Sequence, residues 1–485
     1  MDGSARVVLW TNADQRNPGV LMRKIAIVGS GQAGLLAAHA LVKTGYDVTL
    51  YSDRTPEQWL NESKPTGTAA RFDMALAFER ELGLAFWEDA APRGEGAHLT
   101  ACPAPGNRLL TLAGRLERPF MAIDLRLQSH RWMLELEARG GKVVIEAVTI
   151  PRLEEIAAEN DLTVVAAGRA DLCRLFERDA ARSPHADAQR NVVMMCVTGP
   201  KLGFDGVPLL PVKFNLFAGI GEAFWVPYHH KDAGPSWNCL FEAIPGGPLD
   251  RFQGAKSGEE ILAIAKDLVK ELIPWDHDWF KTAELSDKHG WQNGRVVPAV
   301  RKPVGRLPSG RIVTPLGDTA MSLDPIGGQG ANSGNKMARN LVECIVAHGE
   351  RPFDAGWMTR TFERFYARHG GPTDRFNNLL LAGAPAGVSH LLFAQYGSDG
   401  RADNQSRQQA LANAFVNNFN DPAQLTPVVE DVGRVRAFIR QKTGKPWPVA
   451  LAAGGVGVGI AQVRQRLGLP PRHPAAPAHA VGALA

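Results

Sequence analysis

The stretch RKIAIVGSGQAGLLAAHALVKTGYDVTLYSDR, residues 23–54, constrains the fold of this chain more than any other. A buried-type strand (residues 25–28) enters a Gly29-x-Gly31-x-x-Gly34 turn, an Ala/Leu-rich helix runs on to Lys43, and a second strand covers residues 47–51. The glycines have separate tasks: a tight turn, close approach of the backbone to a pyrophosphate, and close packing of helix on strand. The start of the helix then offers free amides and a positive dipole end to phosphates. Strand before and helix after make Gly29, Gly31, Gln32, Ala33 and Gly34 a dinucleotide cradle rather than a glycine-tolerant turn. An acid for the ribose hydroxyls is expected roughly 20 residues on. That place reads Tyr51-Ser52-Asp53-Arg54, so Asp53 is the candidate, with Ser52 and Arg54 beside it. The alternative for Asp53 is a turn aspartate that closes a strand.

With 485 residues, 45% of them hydrophobic, the chain is long enough for two or three domains with a substantial core. A net charge of +4, without a basic run interleaved with aromatics, predicts no nucleic-acid partner. Cys102, Cys173, Cys196, Cys239 and Cys344 are scattered and form no CxxC pair, which predicts a reducing cytoplasm with neither disulfide framework nor zinc site. No stretch reaches the roughly 18 to 20 apolar residues that span a bilayer. The glycine-rich VALAAGGVGVGIA (residues 449–461) is shorter and weakly apolar, so no membrane association is expected. Residues 1–21 lack the apolar stretch of a signal peptide and read as an extension before Met22.

Between the strand signals at residues 142–147 and 161–168 and the return strand RIVTPLGD, the pattern changes to extended segments such as VKFNLF, EAFWVPYHH and WNCLFEAI, divided by Gly and Pro. The expected order is therefore an extension (1–21), a first part of a cofactor domain (22–190), an antiparallel sheet domain (191–300), a return segment (301–350), a helical region (351–465) and a disordered Pro/Ala tail (466–485). The stretch PLGDTAMSLDPIGGQGAN (residues 315–332) sets an acid at the end of a strand, then Asp324-Pro325, then three glycines within four residues. Together with the N-terminal unit it would hold the two halves of one FAD. Gly317 and Asp318 lie at the ribitol. Pro325, Gly328, Gly330, Ala331 and Asn332 form a loop and helix start against the pyrimidine edge of the flavin, where negative charge builds on reduction.

The chain resembles the FAD-dependent aromatic hydroxylase superfamily and, within it, the oxygenase component of styrene and indole monooxygenases. The resemblance is carried by AIVGSGQAGL, VTLYSDR, AIDLRLQSHRWMLELEARGGKV, GRVVPAVRKPVG, LGDTAMSLDPIGGQGAN and NNFNDPAQL, over roughly residues 23–439; the first and fifth are superfamily-wide, and YSDR, LEARGGK, GQGAN and NFNDP narrow the choice. The fold implied is α/β: a Rossmann-like FAD-binding domain of glutathione reductase / aromatic hydroxylase type, with an inserted antiparallel β-sheet substrate domain and a helical C-terminal region. Single-component members carry an Asp-Gly motif where this chain reads Ala166-Ala167-Gly168-Arg169. The resemblance thus implies a two-component system, in which an NAD(P)H-dependent flavin reductase delivers reduced FAD by diffusion. With O2 this gives a flavin C4a-hydroperoxide that passes an oxygen atom to a small aromatic alkene, indole or sulfide.

The substrate wall is expected on the extended sheet, at Phe214, Leu216, Phe224, Trp225, Val226 and Tyr228, with Pro298 and Val300 facing the flavin; strand alternation turns about half of any such set away. Arg126 is a candidate FAD-contacting cation or else a surface arginine at a helix start, Gly168 approaches the cofactor, and Arg71 could reach its phosphates. Asn332 either fixes the flavin edge or caps the next helix. Asp276, His277, Asp278 and the pair His229-His230 mimic metal ligands but lack i, i+4 partners, so no metal is expected. A homodimer is compatible with all of this. Competing readings are a single-component hydroxylase, a flavin-dependent halogenase, whose W-x-W-x-I segment is missing, and a flavin-binding protein without turnover.

Overall fold

The computed structural model describes residues 22–67, 70–383, 386–467 and 469; the N-terminal extension and most of the Pro/Ala tail lie outside them. Two sheets organise the molecule. The first has six strands in the order Gly305–Arg306, Ile312–Pro315, Leu162–Val165, Lys24–Val28, Asp47–Ser52, Lys142–Ile145. All its pairings are parallel except the outermost, between Gly305–Arg306 and Ile312–Pro315. Parallel strands need crossovers that cover the sheet's faces, which is why Ile25, Ala26, Ile27, Leu162 and Val164 are buried as continuous apolar runs. The Gln32–Lys43 and Gly330–His348 helices pack against it through Leu35, Leu36, Met337 and Leu341.

The second sheet has nine strands and is built mostly from Asn191–Thr198, Pro211–Phe217, Gly221–His230 and Gly234–Ala243. It is wider than the expected 191–300 segment. Gly94–Cys102 pairs in parallel with Pro211–Phe217, Leu110–Ala122 pairs with Gly94–Cys102, and Ala70–Arg71 closes that edge. These three strands carry Glu95, His98, Arg115 and Arg118 among their apolar residues, so they give no clean alternation to read.

Side chains alternate across a strand, and here each face has its own cover. Trp225, Trp237, Phe241 and Phe280 pack with the Gly258–Leu272 helix on one face. Phe224, Val226, Tyr228 and Leu240 lie on the other, with Ile326, Phe376 and Phe419. The C-terminal helices then cover the Gly94–Cys102 and Leu110–Ala122 strands through Leu391, Leu411, Val435 and Ile439. The loop of residues 323–330 is thus carried by the first sheet and pressed against the second.

Candidate cofactor and substrate site

Three strand ends meet at one edge of the parallel sheet. Val28 is in register with Val165, and Val165 with Pro315, so the turn at Gly29, residues 166–168 and residues 317–319 leave the sheet side by side. The Thr319 hydroxyl donates to the Ala167 carbonyl at 2.9 Å and binds two of them together. Gly29 has φ +125°, and a Cβ there would lie 2.5 Å from the Ala166 carbonyl oxygen. At Gly34 a Cβ would lie 2.1 Å from the Gly29 oxygen. At Gly31 it would meet nothing within 4 Å. The outer two glycines are therefore demanded by the protein's own packing, whereas the middle one keeps open a space that the protein does not fill.

That space faces the start of the Gln32–Lys43 helix, which has no side-chain cap and no acid in its first turn. Its amides are free for an anion. Ala33 is wedged in the crossing of the two helices, 3.2 Å from where a Cβ on Gly317 would stand. The Gln32 side chain turns away from the cradle and donates to Asn335 Oδ1 and the Ala331 carbonyl, tying the helices together. At the second strand's end, Ser52 is buried with its hydroxyl 2.7 Å from that of Ser30, Arg54 lies over Trp59 and bonds Ser63, and Asp53 stands exposed beyond them. Gly168 is exposed and open on its Cβ side.

The Asp318 carboxyl touches solvent, yet enough protein surrounds it to raise its proton affinity by desolvation, against the pull of Arg301. Arg301 itself donates to the Asp318 and Thr319 carbonyls at 3.1 and 3.3 Å and brings a cation to the same place. Beyond it the loop is fixed from both sides. Asn377 donates to the Asp324 carbonyl at 2.5 Å, and Gln329 to the Gly327 and Phe419 carbonyls at 3.1 and 3.0 Å. Pro325 opens a short turn that Gly328 ends at φ +59°. The Gly330–His348 helix then starts without a side-chain cap, and Gly330 is open on its Cβ side. Uncapped amides at two helix starts and an exposed acid at the end of the neighbouring strand fit FAD, whose parts are phosphate, polyol and an electron-accepting ring.

Several expectations need correction. Trp225 lies on the far face of its strand, where its indole N–H donates to Asp276 at 2.7 Å. Asp276 also accepts from Lys213 and Asn215, so it is a buried structural acid. Arg126 is wholly buried, bonded to Asp124 and Asp287 at 2.8 Å each and to His230 at 3.0 Å. Its guanidinium is taken up by protein groups rather than standing at the surface. Arg71, likewise buried, pairs with Glu79 at 2.5 Å. Asn332 neither caps its helix nor faces solvent: it donates to the Ala70 and Gly328 carbonyls and accepts from the Phe72 amide at 2.8 Å, clipping the loop to the second sheet's edge. Val300 is in the first sheet's core and pairs with Met321, while the Pro298 carbonyl accepts from Arg178.

Phe224, Val226 and Tyr228 share the face toward Ile326, and Phe214 and Leu216 border it. Sequence reading missed Phe72, Phe376 and Phe419. The Phe419 ring lies 5.9 Å from those of Phe72 and Phe214 and 5.1 Å from that of Phe376, at the hub of the cluster. Its NNFNDP context was a usable signal, but nothing local ties it to a sheet two hundred residues upstream.

The same face carries a buried acid group. Glu222 is held by Arg190 at 2.7 and 3.0 Å. Among the described residues its register partner Glu242 has no donor for either oxygen, nor has Asp324 Oδ2. Burial, then the Asp324 and Glu222 charges, raise Glu242 well above the carboxylate range. A proton on Glu242 would let one of its oxygens donate to Asp324 Oδ2. Such a bond would anchor the loop from below, because Asp324 Oδ1 in turn accepts the Ile326 amide at 3.1 Å.

A family model described as "Styrene monooxygenase A putative substrate binding domain" matches residues 168–278, and an NAD(P)-binding Rossmann-like domain matches residues 27–55. Among curated proteins, styrene monooxygenase StyA of Pseudomonas fluorescens is 30% identical over 413 residues, covering 83% of this chain and 94% of its own. StyA of a Pseudomonas species is 30% identical over 412 residues, with the same shares. Among solved structures, the flavin-dependent brominase Bmp2 superposes with a TM-score of 0.57 at 14% identity, covering 85% of this chain and all of its own. 2-Methyl-3-hydroxypyridine-5-carboxylic acid oxygenase gives 0.52 at 14% identity, with 81% and 97% covered. At such identities the last two speak for the fold alone.

Proposed function

Because this chain belongs to the styrene monooxygenase family and is a flavin-dependent monooxygenase with FAD as its cofactor, we propose that it is the oxygenase half of a two-component system. It receives reduced FAD from a separate NAD(P)H-dependent reductase. It inserts one oxygen atom of O2 into a small aryl alkene, indole or aryl sulfide. The observation that carries this reading is positional: the matched substrate-domain segment contributes the Phe224/Val226/Tyr228 face, and the loop of residues 323–330 lies against that face.

When bound, reduced FAD supplies the activation of O2; the rest falls to the chain. Gly31 and the amides after it would hold the pyrophosphate. Asp318 would take a ribitol hydroxyl. The amides at Gly330 and Ala331 would face the flavin's pyrimidine edge, where their dipole favours the anionic reduced ring. Gly168, Asp53 and Arg54 border the adenosine side.

The apolar face binds the arene and keeps water out. A ring the size of a phenylalanine side chain burying about 150 Å² gains about 4 kcal/mol at roughly 25 cal/mol per Å². That corresponds to a dissociation constant of about 1 mM without a polar contact. A vinyl arene has no polar group to offer, so a wall made chiefly of Phe214, Leu216, Phe224 and Val226 suits it. Epoxidation also asks for no base on the substrate, and the buried acids serve the loop instead.

Two components make a direct test. NAD(P)H added to the FAD-loaded protein leaves the flavin oxidised and yields no product. A flavin reductase held behind a dialysis membrane that passes FAD restores styrene oxide formation. Reduction of the bound flavin by NAD(P)H alone would overturn the two-component assignment.

A further inference from the structure

The last helix, Trp447–Arg466, has two unlike faces. Ala450, Gly454 and Val458 lie inward. Gly454 and Gly457 back so closely on Phe393 and Tyr396 that a Cβ on either would stand 2.1 Å from an atom of that residue. The glycines therefore pin the helix flat along the protein. Its outer face holds Val449, Val456, Ile460 and Val463, followed by Leu467, with exposures of 51, 65, 51, 56 and 67%. No charged residue stands between Lys445 and Arg464.

Charge is gathered at the ends of this stripe. From Val432 onward the chain has eight Lys or Arg residues and no Asp or Glu. The whole chain carries only +4, so the preceding residues are net acidic. The preceding helix, Val432–Thr443, meets the last one at 81° and brings Arg440 and Lys442 to the corner beside Lys445. An exposed apolar stripe flanked by cations offers a bilayer both apolar area and positive charge. Among the described residues no single helix is long and apolar enough to cross a membrane.

We propose that the outer face of the Trp447–Arg466 helix and its flanking cations dock this enzyme on an anionic lipid surface. This reverses the expectation, drawn from the stretch's weak hydropathy, that the protein has no membrane association: the average includes many Gly and Ala, whereas the exposed side chains are the larger Val, Ile and Leu. Charge decides against a second copy as the occupant, since pairing this face with itself would oppose two sets of cations. Apolar arenes concentrate in lipid, so docking would set the oxygenase beside its substrate reservoir. The lipid-binding claim does not depend on the catalytic reading.

The test is sedimentation of the full-length protein with extruded vesicles of phosphatidylcholine, with or without phosphatidylglycerol. Binding to the anionic vesicles is expected, weakening about tenfold or more without phosphatidylglycerol and as salt rises. Val456→Glu/Ile460→Glu should abolish it, and Lys445→Gln/Arg466→Gln should weaken it about fivefold per charge removed. Epoxidation in lipid-free buffer should be unchanged in both variants, which also shows that they fold. Absence of wild-type binding to anionic vesicles would overturn the proposal, as would binding that ignores Val456→Glu/Ile460→Glu. So would a dimer in sedimentation velocity that this variant dissociates while vesicle binding stays absent.

Discussion

Alanine at Gly31 and at Gly34 should have opposite consequences, although the two positions are one helical turn apart. At Gly34 the added methyl would stand 2.1 Å from the Gly29 oxygen and 3.3 Å from the Ala166 Cβ. Both belong to tightly held segments, so the strain falls at the upper end of overpacking, about 3 kcal/mol. Better helix propensity returns about 1 kcal/mol. The net loss of about 2 kcal/mol lowers the melting temperature by about 5 °C.

At Gly31 the backbone has φ −74° and ψ 175°, which any residue adopts, and the methyl meets no protein atom within 4 Å. Stability should then stay within about 0.5 kcal/mol of wild type. The methyl instead occupies the cradle and costs at least one charge-assisted hydrogen bond, about 1.5–3 kcal/mol. FAD binding should weaken about ten- to hundredfold. Melting of the FAD-free protein and anaerobic fluorescence titration with FAD separate the two effects. Wild-type FAD affinity in Gly31→Ala would refute the cradle, and an unshifted melt in Gly34→Ala would refute the packing argument.

Glu242→Gln keeps a donor for Asp324 and should stay within about 1 kcal/mol of wild type, whereas Glu242→Leu leaves Asp324 Oδ2 unpaired and loses about 1–3 kcal/mol in urea denaturation; equal losses would show that no proton is shared. Phe224→Ala should raise the KM for styrene and admit bulkier arenes. Trp225→Ala, on the opposite face, should cost about 3–5 kcal/mol of stability and leave the KM of the folded fraction unchanged. Burial lowers His39 from 6.5 to about 4. Between those values the unfolded chain binds a proton that the folded one refuses, so this contribution, up to about 3 kcal/mol, is intact above pH 6.5 and lost as pH falls toward 4. A His39→Gln variant should show a flatter loss of stability over that window.

The strand-end geometry of the proposed cofactor half was readable because its signals are local. The glycines of residues 29–34 and the acid and loop of residues 317–330 each fall within one strand-turn-helix unit, and backbone geometry dictates them. Arg126 was not readable, since the groups that consume it, His230 and Asp287, stand 104 and 161 residues away. Trp225 failed for a different reason. Alternation divides a strand into two faces but does not say which face meets the cofactor, and here the Gly258–Leu272 helix claims the odd-numbered one. The exposed apolar stripe of the last helix was hidden because many of its residues are Gly and Ala, which lower the average and do not show which side chains face outward.

The central claim is that this chain couples reduced FAD and O2 to oxygen transfer at the apolar face beneath the loop of residues 323–330. The most direct measurement is a single turnover: protein carrying chemically reduced FAD is mixed with oxygenated buffer and styrene, without reductase or nicotinamide, and the product is assayed. Styrene oxide stoichiometric with flavin is the result predicted. Reoxidation that releases only hydrogen peroxide, with styrene unchanged, would contradict it.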